Sequence, residues 1–92
     1  MSADEYLGDT GQVYVTYSAA RSYATFTGAE PEEARHRLTE LLLDAERKGS
    51  AENGAERYRY RSRSEGVDIT AHVSHEHGGR LAVVTHVHVR PR

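Results

Sequence analysis

The sequence contains no cysteine and no tryptophan, and it has only two prolines. Without cysteine the chain cannot form disulfide bonds, a thiolate metal site or a cysteine nucleophile. It also lacks any apolar run near the ~20 residues that a membrane helix requires. Its first residues, MSADEYLGDTG, are acidic and do not resemble a basic leader followed by an apolar stretch. We therefore expect a cytoplasmic protein that does not contact a membrane.

The composition that remains supports one modest hydrophobic core. Apolar residues make up 37% of the 92 residues, which is too high a fraction for a disordered tail. A chain of this length has room for one domain only. We interpret residues 1–11 as a polar lead-in and residues 12–92 as a single α+β domain. So small a core leaves little spare stability, and a homodimer that buries further apolar surface would add to it.

Charge is distributed unevenly along the chain. Residues 1–54 carry five Lys or Arg and ten Asp or Glu, a net charge of −5, whereas residues 55–92 carry seven Arg and four acidic residues, a net charge of +3. Five of the six histidines also lie in the second half. Arginine suits planar, bidentate contact with phosphate or carboxylate. The second half therefore permits a polyanionic partner, although the whole chain is less basic than most dedicated nucleic-acid binders.

The first third of the domain predicts a strand and then an ambiguous segment. Residues 12–17 alternate between two sets of side chains rich in valine and tyrosine, which indicates a strand. Residues 18–28 fit two structures. Ser18 could cap a short helix over residues 19–27 that Gly28 ends, while the aromatic and β-branched residues near its end prefer a strand. The Ala-Ala-Arg start after Ser18 favours the helix.

A long core helix is predicted over residues 31–48. Pro31 suits its first position, acidic residues follow in its first turn, and basic residues lie in its last turn before Gly49. One apolar stripe runs along it, formed by Ala34, Leu38, Leu41, Leu42 and Ala45. Residues 49–55 are predicted to be a polar turn.

Three antiparallel strands are predicted to follow, over residues 57–63, 67–75 and 81–89. The fold class is therefore α+β with the order β-α-α-β-β-β, a sheet of roughly four strands packed on the helices. A three-residue loop over 77–79 would set the register of the last two strands. That register pairs Val73 with Val83, Ala71 with Thr85 and Ile69 with Val87.

This register divides the side chains of the last strands between two faces. One face is apolar and carries Val67, Ile69, Ala71, Val73, Leu81, Val83, Thr85, Val87 and Val89. The opposite face carries Asp68, Thr70, His72, Ser74, Ala82, Val84, His86, His88 and Arg90. If Tyr58 and Tyr60 turn inward, that second face also gains Arg57, Arg59, Arg61 and Arg63. Predicted cross-strand neighbours are Asp68 with His88 and Thr70 with His86.

A face rich in arginine and histidine suits phosphoryl chemistry on RNA. Arginines neutralise the scissile phosphate, and a histidine moves protons at the 2′-oxygen or at the leaving 5′-oxygen. We assign as candidate catalytic residues His86, His88, Arg61 and Asp68, with Asp68 orienting His88. The candidate RNA-binding residues are Arg57, Arg59, Arg63 and Arg90.

Two other interpretations of the same face stay open. His86 and His88 on one strand, with His72 on the next, could ligate zinc. Alternatively the face is an exposed surface of mixed charge that provides solubility and nothing more. We assign no metal ligand and no cofactor, and we interpret His75 and His77 as residues that flank a turn.

Three segments resemble the RelE/ParE-like superfamily of small bacterial toxins. Residues 13–21 (VYVTYSAAR) are similar to its first strand and helix, residues 57–63 (RYRYRSR) to its Arg-rich strand, and residues 83–90 (VVTHVHVR) to its closing strand. The resemblance implies a ribosome-dependent mRNA endonuclease or a toxin that acts on gyrase, held by an antitoxin. Carried onto this chain, the nuclease residues of that family point to Arg59, Arg61, His86 and His88.

The leading hypothesis is a small, metal-independent, toxin-like RNase or RNA-binding domain. The alternative is a non-enzymatic protein-interaction module of regulatory or antitoxin type, in which the partner is another protein or a second copy of the chain.

Overall fold

The computed structural model describes residues 6–50 and 54–91. Within these residues the regular elements are β1 (Gln12–Val15), α1 (Tyr17–Thr27), α2 (Pro31–Leu42), β2 (Glu46–Ser50), β3 (Glu56–Ser62), β4 (Val67–Glu76) and β5 (Leu81–Pro91), with two short 3₁₀ turns. The strands form one sheet in the order β1-β5-β4-β3-β2, in which β1 is parallel to β5 and the other neighbours are antiparallel. No helix in the described part of the chain is long and apolar enough to cross a membrane.

The α+β class and the predicted order of elements are close to the structure, but the sheet has five strands rather than four. The additional strand is β2, which takes the end of the predicted helix 31–48. After Leu42 the amides of residues 44 and 45 donate to carbonyls three residues back, a tighter turn that ends the helix. Arg47 and Lys48, which we placed in the last helical turn, are therefore strand residues.

The ambiguous segment after β1 is helical, as the Ala-Ala-Arg start favoured. The cap is Thr16 rather than Ser18: its hydroxyl oxygen accepts a hydrogen bond from the amide of Ala19 at 3.3 Å and donates to the carbonyl of Val84 at 2.9 Å. At the other end Gly28 adopts a left-handed conformation (φ 77°), as expected for a helix C-cap. The single hydroxyl of Thr16 thus joins the start of α1 to β5.

Both helices pack on one face of the sheet, which we call the inner face, and together they enclose the core. The core side chains are at most 6% exposed and include Tyr23, Leu38, Leu42, Tyr58, Ile69, Val73, Val84 and Val87. Leu7, in the segment predicted as a polar lead-in, also reaches this core and is fully buried. Its amide donates to the carbonyl of Ala45, which fixes the segment beside the start of β2.

The predicted register of β4 and β5 is wrong in two steps. The loop has four residues rather than three, so that Glu76 pairs with Leu81 and Val73 pairs with Val84. A bulge then leaves Thr85 as an extra residue in β5, because Val73 pairs with Val84 while His72 pairs with His86. Beyond the bulge the residues of β5 return to the faces that the sequence predicted.

The bulge changes which side chains of β5 lie in the core. Ala82 and Val84, predicted on the outward face, are fully buried, whereas Leu81, Val83 and Thr85, predicted on the apolar face, are only partly buried. Past the bulge, the predicted pairs Ala71 with Thr85 and Ile69 with Val87 are replaced by Ala71 with Val87 and Ile69 with Val89. The predicted loop was one residue too short, but the extra residue at the bulge returns residues 86–90 to the faces that the sequence predicted.

The ends of β3 also differ from the prediction. Tyr58 and Tyr60 do turn toward the core, and the arginines between and beside them point away from it. Arg63, however, lies in the turn after β3 rather than on the strand. In the predicted turn over residues 49–55, residues 49 and 50 belong to β2, and residues 51–53 lie outside the described part of the chain.

Candidate functional site

The face of the sheet opposite the helices, which we call the outer face, brings the predicted arginines and histidines together. Side chains from β3, β4 and β5 form three rows across this face: Arg61, Asp68 and Arg90; Arg59, Thr70 and His88; Arg57, His72 and His86. Neighbouring strands lie about 4.8 Å apart, so the β3 and β5 members of a row are rooted about 10 Å from each other. The outer face is therefore wide enough for an extended, chain-like ligand to lie across it.

Three of these arginines have no carboxylate partner within residues 6–50 and 54–91. Arg57, Arg61 and Arg90 are exposed, and none of them forms an ion pair with any residue that the structure describes. A guanidinium without a carboxylate partner keeps its donors available for an anion from solution. These three residues make up the available positive charge of the outer face.

Arg59 differs because Asp68 holds it. Its Nε donates to Oδ1 of Asp68 at 3.1 Å and its terminal nitrogen donates to Oδ2 at 2.7 Å, a bidentate pair. The hydrogen bond to Asp68 raises the pKa of the Arg59 guanidinium above its usual value. Arg59 is thus the one predicted RNA-binding residue on these rows whose donors are directed to a neighbouring carboxylate in the described structure.

The predicted pairing of Asp68 with His88 is wrong. Asp68 lies opposite Arg90, and the residue opposite His88 is Thr70. Thr70 was predicted to face His86, but the residue opposite His86 is His72. The displaced register therefore removes the proposed orienting role of Asp68.

Three imidazoles form a cluster on this face. The ring centres of His72 and His86 are 6.4 Å apart, and those of His72 and His88 are 6.0 Å apart, both with edge-on geometry. Nδ1 of His86 lies 3.2 Å from the hydroxyl of Thr85, which donates to the backbone carbonyl of His72 at 3.3 Å. The bulge residue therefore connects two members of the cluster.

His72 is the least exposed of the three imidazoles. Partial burial lowers the pKa of His72, and the nearby His88, His86 and Arg57 lower it further because each can carry the same charge. A neutral imidazole can act as a proton acceptor or stack against an aromatic base.

The same cluster is not arranged as a metal site. In residues 6–50 and 54–91 no group of three or more His, Asp or Glu side chains is positioned to hold a metal ion. The three imidazoles share a face, but ligands of one zinc ion place their nitrogens about 2.0–2.1 Å from it. Ring centres 6.0–6.4 Å apart would have to approach each other to do so.

A second polar cluster, which sequence reasoning missed, lies at the far end of β3 and β4. Nε2 of His75 lies 2.5 Å from a carboxylate oxygen of Glu56 and 3.3 Å from the phenol oxygen of Tyr58. The other oxygen of Glu56 accepts from Arg47 on β2. We predicted His75 only as a turn residue, because the pairing of Glu56 with Val73 that brings it there depends on the register of the sheet.

The outer face therefore brings together three imidazoles and three guanidinium groups that form no ion pair with the described residues. Comparison with protein-family models, with curated proteins and with solved structures returned no match. The similarity to the RelE/ParE-like toxins therefore remains a prediction from short segments of sequence.

Proposed function

We propose that this domain binds single-stranded RNA on the outer face of its sheet, as a small toxin-like RNase or RNA-binding domain. The observation that carries the proposal is that Arg57, Arg61 and Arg90 have no ion-pair partner in the described residues and share a face with three imidazoles. Arginines supply phosphate contacts, and planar rings supply surfaces on which unpaired bases stack.

The spacing of these groups suits an extended strand of RNA rather than a compact ligand. Arg57 and Arg61 are four residues apart on β3, about 13 Å along the strand. Arg90, on β5, lies about 10 Å from Arg61 in the same row. Three cations at such separations contact different phosphates of one chain. The imidazoles of His72 and His88 lie on the strands between and beside them, where bases would stack.

Cleavage is the second part of the proposal. His86 and His88 are both exposed on β5, two residues apart, so that one can take the proton of a 2′-hydroxyl while the other donates to the leaving 5′-oxygen. Arg61 and Arg90 flank His88 in the next row and neutralise the charge that develops on the phosphate.

Binding is tested by fluorescence anisotropy with a labelled, unstructured RNA at about 50 and 200 mM salt. The affinity of the native chain should fall as salt rises, because phosphate contacts release counterions. The variant R57Q/R61Q/R90Q should lose most of the affinity and about two units of the log–log salt slope. The matched control is R21Q, which removes an exposed arginine on α1. Native affinity in the triple variant would reject the outer face as the binding surface.

Cleavage is tested separately with the variant H86A/H88A. Both side chains are exposed, so circular dichroism and the thermal midpoint should match those of the native chain. RNA cleavage by the native chain should be lost in the variant while RNA binding persists. Unchanged cleavage in the double variant would end the catalytic part of the proposal and leave the binding part standing.

A second candidate, self-association, is favoured by the contrast between the two edges of the sheet. At the β1 edge Gln12 and Thr16 donate their amides to β5, so the backbone groups of Val13 and Val15 point to the open side. Arg35 donates to the carbonyl of Val15 there. At the β2 edge a bulge after Arg47 and a bridge from Tyr6 to Glu46 disrupt the ladder.

The occupant that we propose for the β1 edge is a second copy of the chain, paired antiparallel through β1. Sedimentation should show a dimer for the native chain, and Y14K should return it to a monomer, because Tyr14 is 48% exposed at this edge. A native chain that is monomeric at high concentration would reject this candidate and leave the RNA proposal untouched.

A further inference from the structure

The row formed by Arg57, His72 and His86, with His88 beside it, has an unusual electrostatic composition. Every ionisable side chain within it is cationic or able to become cationic. In the described part of β4 the outer face carries two carboxylates, Asp68, which Arg59 binds, and Glu76, which is exposed, and each lies four residues along the strand from His72. On the neighbouring strand β2, Glu46 lies opposite Arg59 and is paired with Lys48.

Charged groups of all three strands surround the cluster of His72, His86 and His88. On β3 these groups are Arg57 and Arg59, on β4 they are Asp68 and Glu76, and on β5 the group is Arg90 in the row beyond His88. The charged residues Glu56 and His75 are on the inner side, since Glu56 lies two residues from buried Tyr58 on β3 and so shares its face. Protonation of His72 is therefore opposed by the nearby His88, His86 and Arg57, and neither its own row nor the adjacent row of β3, β4 and β5 side chains contains a carboxylate.

A shallow depression adjoins this cluster. It has a volume of about 260 Å³ and is lined by Lys48, Arg57, Tyr58, Arg59 and Thr70. Three of the five lining residues are cationic, and the depression lies next to His72 because Arg57 pairs with His72 and Arg59 with Thr70. An anionic group that entered it would meet Lys48, Arg57 and Arg59, with His72 beside Arg57 on the next strand.

We infer that Arg57 and the three imidazoles form a phosphate seat that takes up a proton when the phosphate group binds. The inference rests on the proposed function for the source of the phosphate, a phosphodiester of RNA. The negative charge of that group would favour the protonated form of His72, which its burial and its cationic neighbours disfavour in the free protein. Binding and protonation then strengthen each other by thermodynamic linkage.

The sign of the effect follows from the two states of the cluster. In the free protein the pKa of His72 lies below the ordinary histidine value of 6.5. In the complex a phosphate beside the imidazole raises that pKa. Between these two values the complex holds more protons than the free protein, so RNA affinity rises as pH falls and is lowest above the pKa of the complex. A single linked proton changes affinity by at most about tenfold per pH unit.

The test compares RNA affinity at pH 7.5 and 5.5 at constant ionic strength, conditions in which a phosphodiester keeps the same charge. The dissociation constant of the native chain should fall about tenfold or more between these pH values. The variant H72Q should bind RNA more weakly and lose most of that change with pH. H36Q, which removes an exposed histidine on α2, should retain the full change. An H36Q variant that lost it equally would overturn the assignment to the cluster.

A second arm uses sulfate as a small anion whose charge does not vary in this range. Nuclear magnetic resonance titration of the imidazole protons should show that sulfate raises the pKa of His72 and leaves that of His36 unchanged. RNA binding that is independent of pH would overturn the phosphate seat and leave the proposed function standing. A sulfate effect without RNA binding at low salt would support the seat and overturn the proposed function.

Discussion

His72 and His86 face each other across β4 and β5, with ring centres 6.4 Å apart, because Thr85 is an extra residue in β5. Without the bulge, a continuous ladder that begins with Glu76 opposite Leu81 would place His86 on the inner face. The bulge thus allows buried Ala82 and Val84 to share a strand with the exposed imidazoles beyond them. The outer-face cluster depends on this irregularity.

Deletion of Thr85 should therefore destabilise the domain severely. Removing the extra residue forces one half of β5 to turn its side chains to the wrong face, which would expose Val84 or bury His86. We expect a loss of more than about 3 kcal/mol in the free energy of unfolding, measured by urea denaturation. The control T85S keeps the hydroxyl that donates to the carbonyl of His72 and should lose less than about 1 kcal/mol. A stable deletion variant would show that the bulge is dispensable.

Asp68 offers a test between the sequence prediction and the structure. We assigned Asp68 as a catalytic residue, but its carboxylate binds Arg59. D68N removes a negative charge from the outer face and releases a guanidinium, so it should raise RNA affinity severalfold in anisotropy measurements and leave cleavage intact. The comparison variant D44N alters an exposed acid after α2 and should leave the affinity unchanged. Loss of cleavage in D68N with native binding would restore the catalytic assignment.

The second polar cluster, formed by Glu56, Tyr58 and His75, predicts a specific stability effect. Tyr58 is 1% exposed, and its phenol oxygen lies 3.3 Å from Nε2 of His75. Y58F should lower the free energy of unfolding by about 1 kcal/mol, because it leaves the imidazole without that contact. Y58A should cost about 3–5 kcal/mol through the cavity that it creates. Y17F, at a tyrosine 58% exposed, is the matched control, and equal losses in Y17F and Y58F would contradict the account.

The hydroxyl of Thr16 predicts a coupling between α1 and β5. It caps the helix and donates to Val84, so T16V should destabilise the domain by about 1–2 kcal/mol. T16S retains the oxygen and should recover most of that loss. S18A tests the cap that the sequence favoured, and we expect little change in its thermal midpoint. A larger loss in S18A than in T16V would return the cap to Ser18.

Local patterns in the sequence predicted much of the fold. The apolar stripe of α2, the alternation of β3 and the helix that ends at Gly28 all follow from short-range spacing. The position of β2 did not follow, because Arg47 and Lys48 suit a helix end as well as an edge strand. The partner that decides between them, β3, lies beyond the intervening turn.

The sequence predicted most of the residues of the candidate site but not their cross-strand neighbours. The arginines at 57, 59 and 61 and the imidazoles at 86 and 88 do emerge on one face. Their neighbours were misassigned because a bulge leaves no clear signal in an alternating strand. Each shift of register by one residue changes every cross-strand pair. For the same reason the pair of Arg59 with Asp68 could not be read from the sequence.

The most direct test of the central claim is an amide chemical-shift map of the native chain on addition of an unstructured RNA at low salt. We predict that the perturbed amides lie on β3, β4 and β5, with the largest changes at Arg57, His72, His86 and His88. The amide shifts of α1 and α2 should not change. Perturbations confined to the helices, or none at all, would contradict the assignment of the outer face as an RNA-binding surface.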